Sequence, residues 1–254
     1  MTATSSRSTR SQALPWGLGL WLGVSLALSG CVVPPDRGGS PSEQATASCQ
    51  GDLGATGNTR LAAIQQMVSD GKPYAALAEL DALGGQTPKA QLVRAEALRR
   101  VDRAEQARQI YTTLTQTCLN GEALHGLGLL AGHEGRLEES LRALSAARQA
   151  LPTNAAIRND LGYALLMNQQ WADAQFELLT AQELAPNDSR VQRNLVLLAL
   201  AQDKAPLARE LSARFGLDAA TQERLRSQAL RLSSVRPPAN PASAPADATT
   251  TTSP

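Results

Sequence analysis

The sequence is poor in aromatic residues and has few runs of β-branched side chains. Phe, Trp and Tyr together make up 3% of its 254 residues, whereas hydrophobic residues as a whole reach 43%. A core built under these limits consists mainly of alanine and leucine, which are strong helix formers. The composition therefore predicts an all-α protein.

An excess of charge of either sign is also missing. The formal net charge is +1, from 24 Lys and Arg against 23 Asp and Glu. The first 30 residues hold Arg7, Arg10 and no acid, so the remainder of the chain carries one negative charge more than it has positive charges. Binding to nucleic acid requires a basic patch or stripe. We therefore expect no nucleic-acid partner.

Motifs of catalysis and of metal or cofactor binding are absent from the sequence. The two histidines, His125 and His133, are eight residues apart, which on a helix separates them by about 12 Å. One metal ion could not reach both. Residues 126–131 match the letters of the dinucleotide fingerprint, but that fingerprint must follow a strand, and this run is predicted to lie within a helix. We expect no cofactor, no bound metal and no enzymatic activity.

What the sequence does contain is an internal repeat. Residues 121–154 and 155–188 are identical at five positions, which are Leu127/Leu161, Gly128/Gly162, Leu144/Leu178, Ala147/Ala181 and Pro152/Pro186. The 34-residue period and these positions resemble the tetratricopeptide repeat, in which each copy is a pair of helices. The resemblance implies a solenoid of stacked helical hairpins.

The repeated small residues have a physical explanation. A glycine inside a helix costs about 1 kcal/mol relative to alanine, so Gly128 and Gly162 indicate places where two helices touch closely. Ala174 and Ala181 lie on one helix face and are expected to meet Gly162 and the next repeat. Proline cannot continue a helix. The predicted repeat-packing residues are Leu127, Gly128, Pro152, Leu161, Gly162, Ala174, Ala181, Pro186 and Ala208.

Weaker copies flank these two repeats. Residues 58–85 form a degenerate first copy, residues 87–119 a better one, and residues 189–216 a fading one. Residues 218–232 are predicted to form a single capping helix that starts at Asp218. We therefore predict a solenoid of about four helical pairs plus this helix at 59–232. Residues 233–254 have too little apolar content to fold and are predicted to be a disordered tail.

The resemblance also implies a concave groove lined by the first helix of each pair, a surface on which a peptide or helix of a partner protein could bind. By correspondence with tetratricopeptide repeats, the candidate groove residues are Lys89, Glu96, Arg99, His125, Leu129, Asn159, Tyr163, Arg190 and Arg193. The groove is predicted to be mixed apolar and basic.

The chain begins with a targeting pattern. A polar start is followed by an apolar run from Leu14 to Leu28, which is shorter than the roughly 20 residues of a spanning helix. The run ends in Leu28-Ser-Gly-Cys31, which resembles a bacterial lipobox. The resemblance implies a lipoprotein signal peptide at 1–30 and a lipidated Cys31 that anchors the protein. An unprocessed transmembrane anchor is the alternative.

Val32, rather than aspartate, follows Cys31, which by the same resemblance implies the periplasmic face of the outer membrane. Residues 31–58 are rich in Pro, Gly, Ser and Thr and are predicted to be a flexible tether. In an oxidising compartment Cys49 and Cys118 could pair, which would stabilise the fold by about 4 kcal/mol. Alternatively both stay unpaired, with Cys118 buried as a small apolar side chain.

The combination of lipobox, tether and repeats narrows the function. Together with the runs Arg158–Leu166 and Arg193–Leu198, it resembles the TadD family of tight-adherence (Flp) pilus assembly lipoproteins. That family implies protein partners such as a secretin or other pilus and secretion components, and a membrane contact through the lipid. Two alternatives stay open, namely another outer-membrane repeat lipoprotein (a type IV pilotin or a regulator of cell-wall synthases), and an enzyme or small-molecule binder.

Overall fold

The computed structural model describes residues 53–234, and within them it contains eleven α-helices and no strand. The predicted all-α repeat fold is confirmed. The helices are α1 Gly54–Ser69, α2 Pro73–Leu83, α3 Pro88–Arg100, α4 Ala104–Leu114, α5 Asn120–His133, α6 Leu137–Ala150, α7 Ala155–Met167, α8 Trp171–Leu184, α9 Ser189–Ala201, α10 Ala205–Arg214 and α11 Ala219–Ser234. The predicted signal peptide, Cys31, Cys49 and the predicted tail after residue 234 lie outside the described residues.

The first ten helices form five hairpin pairs, one more than the four predicted. The difference arises because the degenerate first copy forms a complete pair. Its first helix begins at Gly54, inside the stretch predicted as tether, and α11 continues to Ser234, two residues past the predicted end. Each of the first ten helices packs against its neighbour in sequence within that set, and the first helices of successive pairs pack side by side.

Every pair turns from its first to its second helix in the same way. The middle residue of each three-residue turn has a positive φ, and these residues are Gly71, Asp102, Gly135, Gln169 and Asp203. The following backbone N–H donates to a carbonyl five residues earlier, as in Arg136 N to Ala131 O at 2.8 Å and Gln170 N to Leu165 O at 2.9 Å. These bonds satisfy carbonyl groups at the end of the first helix, so all five turns share one geometry.

Three of the first helices begin with a side-chain cap. Thr87 Oγ1, Asn154 Oδ1 and Asp188 Oδ1 accept hydrogen bonds from backbone N–H groups in the first turns of α3, α7 and α9. Such caps satisfy donors that the helix itself leaves without partners. They fix where these three repeats start. The prolines predicted to end second helices, Pro152 and Pro186, lie in the loops just before two of these caps.

The repeated glycines lie where a helix backbone meets a leucine. A Cβ atom built on Gly128 would lie 2.7 Å from Leu144 Cγ, and one built on Gly162 would lie 2.7 Å from Leu178 Cγ. Both glycines are buried. Leu178 therefore supplies the atoms nearest to such a Cβ on Gly162, and the predicted partner Ala174 is fully buried.

The dinucleotide-like run is explained by the same kind of packing. A Cβ atom on Gly126 would lie 2.3 Å from the ring of Tyr111, whose side chain is buried between the second and third pairs. Gly126 and Gly128 therefore admit a tyrosine ring and a leucine, one from each neighbouring second helix. Both positions have a structural explanation that involves no nucleotide.

Most of the other predicted packing residues lie in the core. Leu161, Ala181 and Ala208 are buried, while Leu127 is half-buried against the N-terminal core.

Within the described residues, no helix is both long enough and apolar enough to cross a bilayer.

The last helix does not only cap the end of the array. Asp218 Oδ1 accepts from Thr221 N at 2.8 Å and begins α11, as predicted. The helix then packs along α9, the first helix of the fifth pair. Leu225, Ala229 and Leu232 are buried there in the C-terminal core. α11 therefore covers the first-helix side of the last pair.

Candidate partner-binding groove

A groove with a volume of about 1040 Å³ runs over the first helices of the pairs. It is lined from α1, α3, α5, α7 and the start of α9, with Tyr111 of α4 at its base. Six of the nine predicted groove residues line it, namely Lys89, Glu96, Arg99, His125, Leu129 and Arg190. Arg100, Glu122 and Asp160 add three further charged side chains.

Three predicted groove residues lie elsewhere. Asn159 is 2% exposed, because it is enclosed between neighbouring first helices. Arg193 is half-buried and does not line the groove. Tyr163 lines a second, adjoining cavity, and its hydroxyl accepts a hydrogen bond from Gln228 Nε2 of α11 at 3.0 Å.

The position of α11 explains why the groove is shorter than predicted. Gln169 Nε2 donates to the Leu232 carbonyl at 3.3 Å, which ties the end of α11 to the turn of the fourth pair. Leu197 occupies the same repeat position as Tyr163 one copy earlier and Leu129 two copies earlier. It is only 1% exposed, because it is buried in the C-terminal core. The open groove therefore ends at the start of α9, beyond which α11 covers the surface of the first helices.

A chain of polar side chains connects three successive first helices. His125 Nε2 lies 2.7 Å from Asp160 Oδ2. Asn159 Nδ2 donates to Asp160 Oδ1 at 3.0 Å, and Asn194 Nδ2 donates to Asn159 Oδ1 at 2.9 Å. Both inter-helix links join residues 35 positions apart. The chain holds α5, α7 and α9 in register beneath the groove.

Burial shifts the pKa of two groove residues of the second pair. Burial raises the pKa of Glu96, although the charges of Arg99, Arg100 and His125 oppose the shift. Burial also raises the pKa of Tyr111 to about 12, and Arg99 partly offsets this by its charge and a hydrogen bond. Arg99 Nε is buried without a hydrogen-bond partner among the described residues.

The other cations of the groove differ in their pairing. Arg190 is held by Asp188, with Nη2 2.7 Å from Oδ2, and this contact holds the pKa of Asp188 below its usual value. No carboxylate of residues 53–234 forms an ion pair with Lys89, Arg99 or Arg100. These three cations remain available to a ligand.

A second cavity of about 440 Å³ adjoins the groove. Its walls come from the C-terminal half of α5, the start of α6 and the face of α7. Leu129 and Asp160 line both cavities, so they form the boundary between them. The polar groove thus continues into a pocket whose walls are mainly apolar.

The sequence reasoning missed a buried charge cluster behind the groove. Glu177 is 5% exposed, with Oε2 2.7 Å from Arg158 Nη1 and Oε1 3.5 Å from Arg148 Nε. Arg158 Nε also donates to the Pro152 carbonyl at 2.6 Å. The cluster joins α6, α7 and α8. The available sequence signal was the position of Glu177, three residues after Ala174 and four before Ala181, on the face predicted to pack.

Cys118 is disulfide-bonded. The other two cysteines of the sequence, Cys31 and Cys49, lie outside the described residues, so the pairing of Cys49 with Cys118 stays a prediction. Among the described residues, no three His, Cys, Asp or Glu side chains are grouped as ligands for a metal ion.

Comparison with known proteins shows the same repeat. Residues 133–196 match the tetratricopeptide-repeat family. The chain is 35% identical over 203 residues to the TPR repeat-containing protein PA4299 of Pseudomonas aeruginosa, covering 80% of this chain and 79% of that protein.

Two solved structures have a similar fold. One is TTC0263, a thermophilic TPR protein of Thermus thermophilus, with 20% identity, a TM-score of 0.53 and coverage of 69% of this chain and 98% of that one. The other comes from the functional characterization of Pseudomonas aeruginosa pilF, with 18% identity, a TM-score of 0.55 and coverage of 69% and 83%.

Proposed function

The chain belongs to the tetratricopeptide-repeat family of proteins, and we propose that it is a lipid-anchored adaptor that holds partner proteins in its groove. The main support for this proposal is the groove of about 1040 Å³, because it offers a ligand both apolar surface and cations that form no ion pair with the described carboxylates. A bound peptide or helix is recognised by such a surface through a few side-chain anchors. In this proposal the protein acts by binding and carries out no catalysis.

The proposed anchor is the lipidated Cys31. Its support is the sequence pattern of a charged start, an apolar run and the Leu28-Ser-Gly-Cys31 site. Acyl chains on the mature N-terminus would hold the protein on a membrane surface, and Val32 favours the periplasmic face of the outer membrane. Residues 32–53 would then separate the repeat array from the bilayer.

The proposed setting is the assembly of a Tad/Flp pilus, with a secretin as the partner. The support is the resemblance in residues 158–166 and 193–198, taken together with the lipobox. Many tetratricopeptide repeats share these residues, so they do not single out one family. The second candidate is therefore a type IV pilotin-like role or the regulation of cell-wall synthases.

The anchor is tested by Cys31→Ala. The variant is expected to appear in the soluble periplasmic fraction, whereas the wild type sediments with outer membranes. Firm membrane association of the variant would contradict the lipid anchor. Ser42→Ala, a small change in the predicted tether, serves as the control, and its distribution should equal that of the wild type.

The partner is tested by photo-crosslinking in cells. A crosslinking amino acid at Leu129 probes the groove, and one at Phe176, which is 62% exposed on α8, probes a surface outside it. A crosslink to the secretin, detected by antibody, is expected from Leu129 and absent from Phe176. A crosslink from Leu129 to a cell-wall synthase instead would favour the second candidate. Equal crosslinking from both positions would count against the groove.

A further inference from the structure

The third pair lacks a side chain that the fourth pair has. Gly132 stands on α5 at the position that Leu166 occupies on α7, 34 residues later. Leu166 is fully buried and packs in the C-terminal core with Ala174. In the third pair the residue corresponding to Ala174 is Ser140, whose Oγ donates to the Gly128 carbonyl at 2.8 Å. The adjoining pocket thus lies where the fourth pair is filled by leucine.

This pocket has the size and lining to receive a side chain. Its volume is about 440 Å³, within the range of ligand pockets in proteins. Leu137, Leu144, Tyr163 and Met167 supply apolar walls, and Met167 is 37% exposed at the surface. Methionine adapts readily to the shape of a bound group. An apolar side chain entering here would remove this surface from water.

A suitable charge lies in the adjoining groove. Arg99 occupies the repeat position of Gly132 one copy earlier, on the neighbouring first helix. Its Nε is buried and has no acceptor among the described residues, and an unsatisfied buried donor is costly. A carboxylate accepts strong, charge-assisted hydrogen bonds from a guanidinium. Since Leu129 and Asp160 border both cavities, one ligand can reach from Arg99 to the pocket.

We propose that the pocket left by Gly132, together with Arg99, binds a partner segment that carries one large apolar side chain and one nearby carboxylate. The inference rests on the proposed function, because it specifies the chemistry of the segment that the groove holds. The apolar side chain fills the space that leucine fills in the fourth pair. The carboxylate accepts from Arg99.

The test uses the full chain, purified in detergent, and a phage-displayed library of random 12-residue peptides. Enriched peptides are expected to share a Leu, Met or Phe within a few residues of an Asp or Glu. Their affinities are then measured by fluorescence anisotropy with synthetic copies. Replacing the apolar residue or the acid of an enriched peptide by alanine should each weaken binding about tenfold or more.

The matched protein variant is Gly132→Leu combined with Ser140→Ala, which reproduces the pair found at Leu166 and Ala174. Because the fourth pair already folds with these residues, the variant should keep the wild-type thermal midpoint while losing at least tenfold in peptide affinity. Ala172→Leu places a leucine on the exposed outside of α8 and should leave affinity unchanged. Arg99→Gln should weaken acidic peptides selectively, whereas the exposed Arg226→Gln should not.

The outcomes separate the two levels of the proposal. If peptides are enriched but bind the Gly132→Leu/Ser140→Ala variant as tightly as the wild type, or lack the apolar and acidic pair, the pocket assignment is wrong while the groove function stands. If no peptide is enriched at all, both are contradicted. If the variant is unfolded, Gly132→Met is measured instead, and unchanged affinity for that folded variant equally overturns the pocket.

Discussion

His125 Nε2 lies 2.7 Å from Asp160 Oδ2, and this contact joins the first helix of the third pair to the first helix of the fourth. Both side chains are about one-fifth exposed. Beside it, Asn159 and Asn194 repeat the same link one copy further on. The groove floor is therefore held by polar contacts between repeats as well as by apolar packing.

The His125–Asp160 contact should be energetically coupled. In a double-mutant cycle with His125→Ala and Asp160→Ala, we expect a coupling of about 0.5–1.5 kcal/mol, because the pair is largely shielded from water. Urea unfolding followed by the fluorescence of Trp171 measures it. The exposed Glu223–Arg226 pair on α11 is the control, with a coupling of about 0.3 kcal/mol. Equal values for both pairs would contradict the shielding.

Gly162→Ala should destabilise the protein even though alanine is the better helix former. The added Cβ would lie 2.7 Å from Leu178 Cγ and 3.3 Å from the Leu178 backbone nitrogen. We expect a loss of about 1–3 kcal/mol in unfolding free energy, which is typical of overpacking. Adding Leu178→Ala makes room, so the double variant should lose less than the sum of the single variants. A strictly additive result would show that the two residues are not in contact.

Glu96→Gln should stabilise the protein at neutral pH. Burial raises the pKa of Glu96 above its ordinary value of 4.5, so the folded state holds its proton to a higher pH than the unfolded state does. The unfavourable contribution of this carboxylate begins as pH rises past the unfolded pKa and is complete above the folded pKa. The gain in thermal midpoint should therefore be present at pH 7 and vanish near pH 3. A gain that is independent of pH would contradict this origin.

Leu225→Ala should lower stability far more than Leu230→Ala on the same helix. Leu225 is 7% exposed in the C-terminal core, whereas Leu230 is 71% exposed. Truncating a buried leucine costs about 2–5 kcal/mol, and an exposed substitution costs within about 0.5 kcal/mol. Chemical unfolding of the two variants measures the difference. Similar costs for both would mean that α11 does not pack on α9 by this face.

Much of the repeat array could be predicted because its information is local. The glycines and leucines at 34-residue spacing, the cap at Asp218, and the prolines Pro152 and Pro186 at two repeat boundaries are short-range features. The turns were less visible. Of the five turn residues with a positive φ, only Gly71 and Gly135 are glycine. The hydrogen bond from the next backbone N–H to the carbonyl five residues earlier imposes the same geometry on Asp102, Gln169 and Asp203.

The sequence by itself determined the helical repeat, its period and the small residues at which helices meet, because each hairpin follows from local pattern and chain geometry. The tertiary structure alone decided where the groove ends. α11 packs on α9 and reaches Tyr163, because Leu225, Ala229 and Leu232 bury their apolar side chains against that surface. Likewise, the pocket beside Gly132 exists only because neighbouring helices surround a missing side chain.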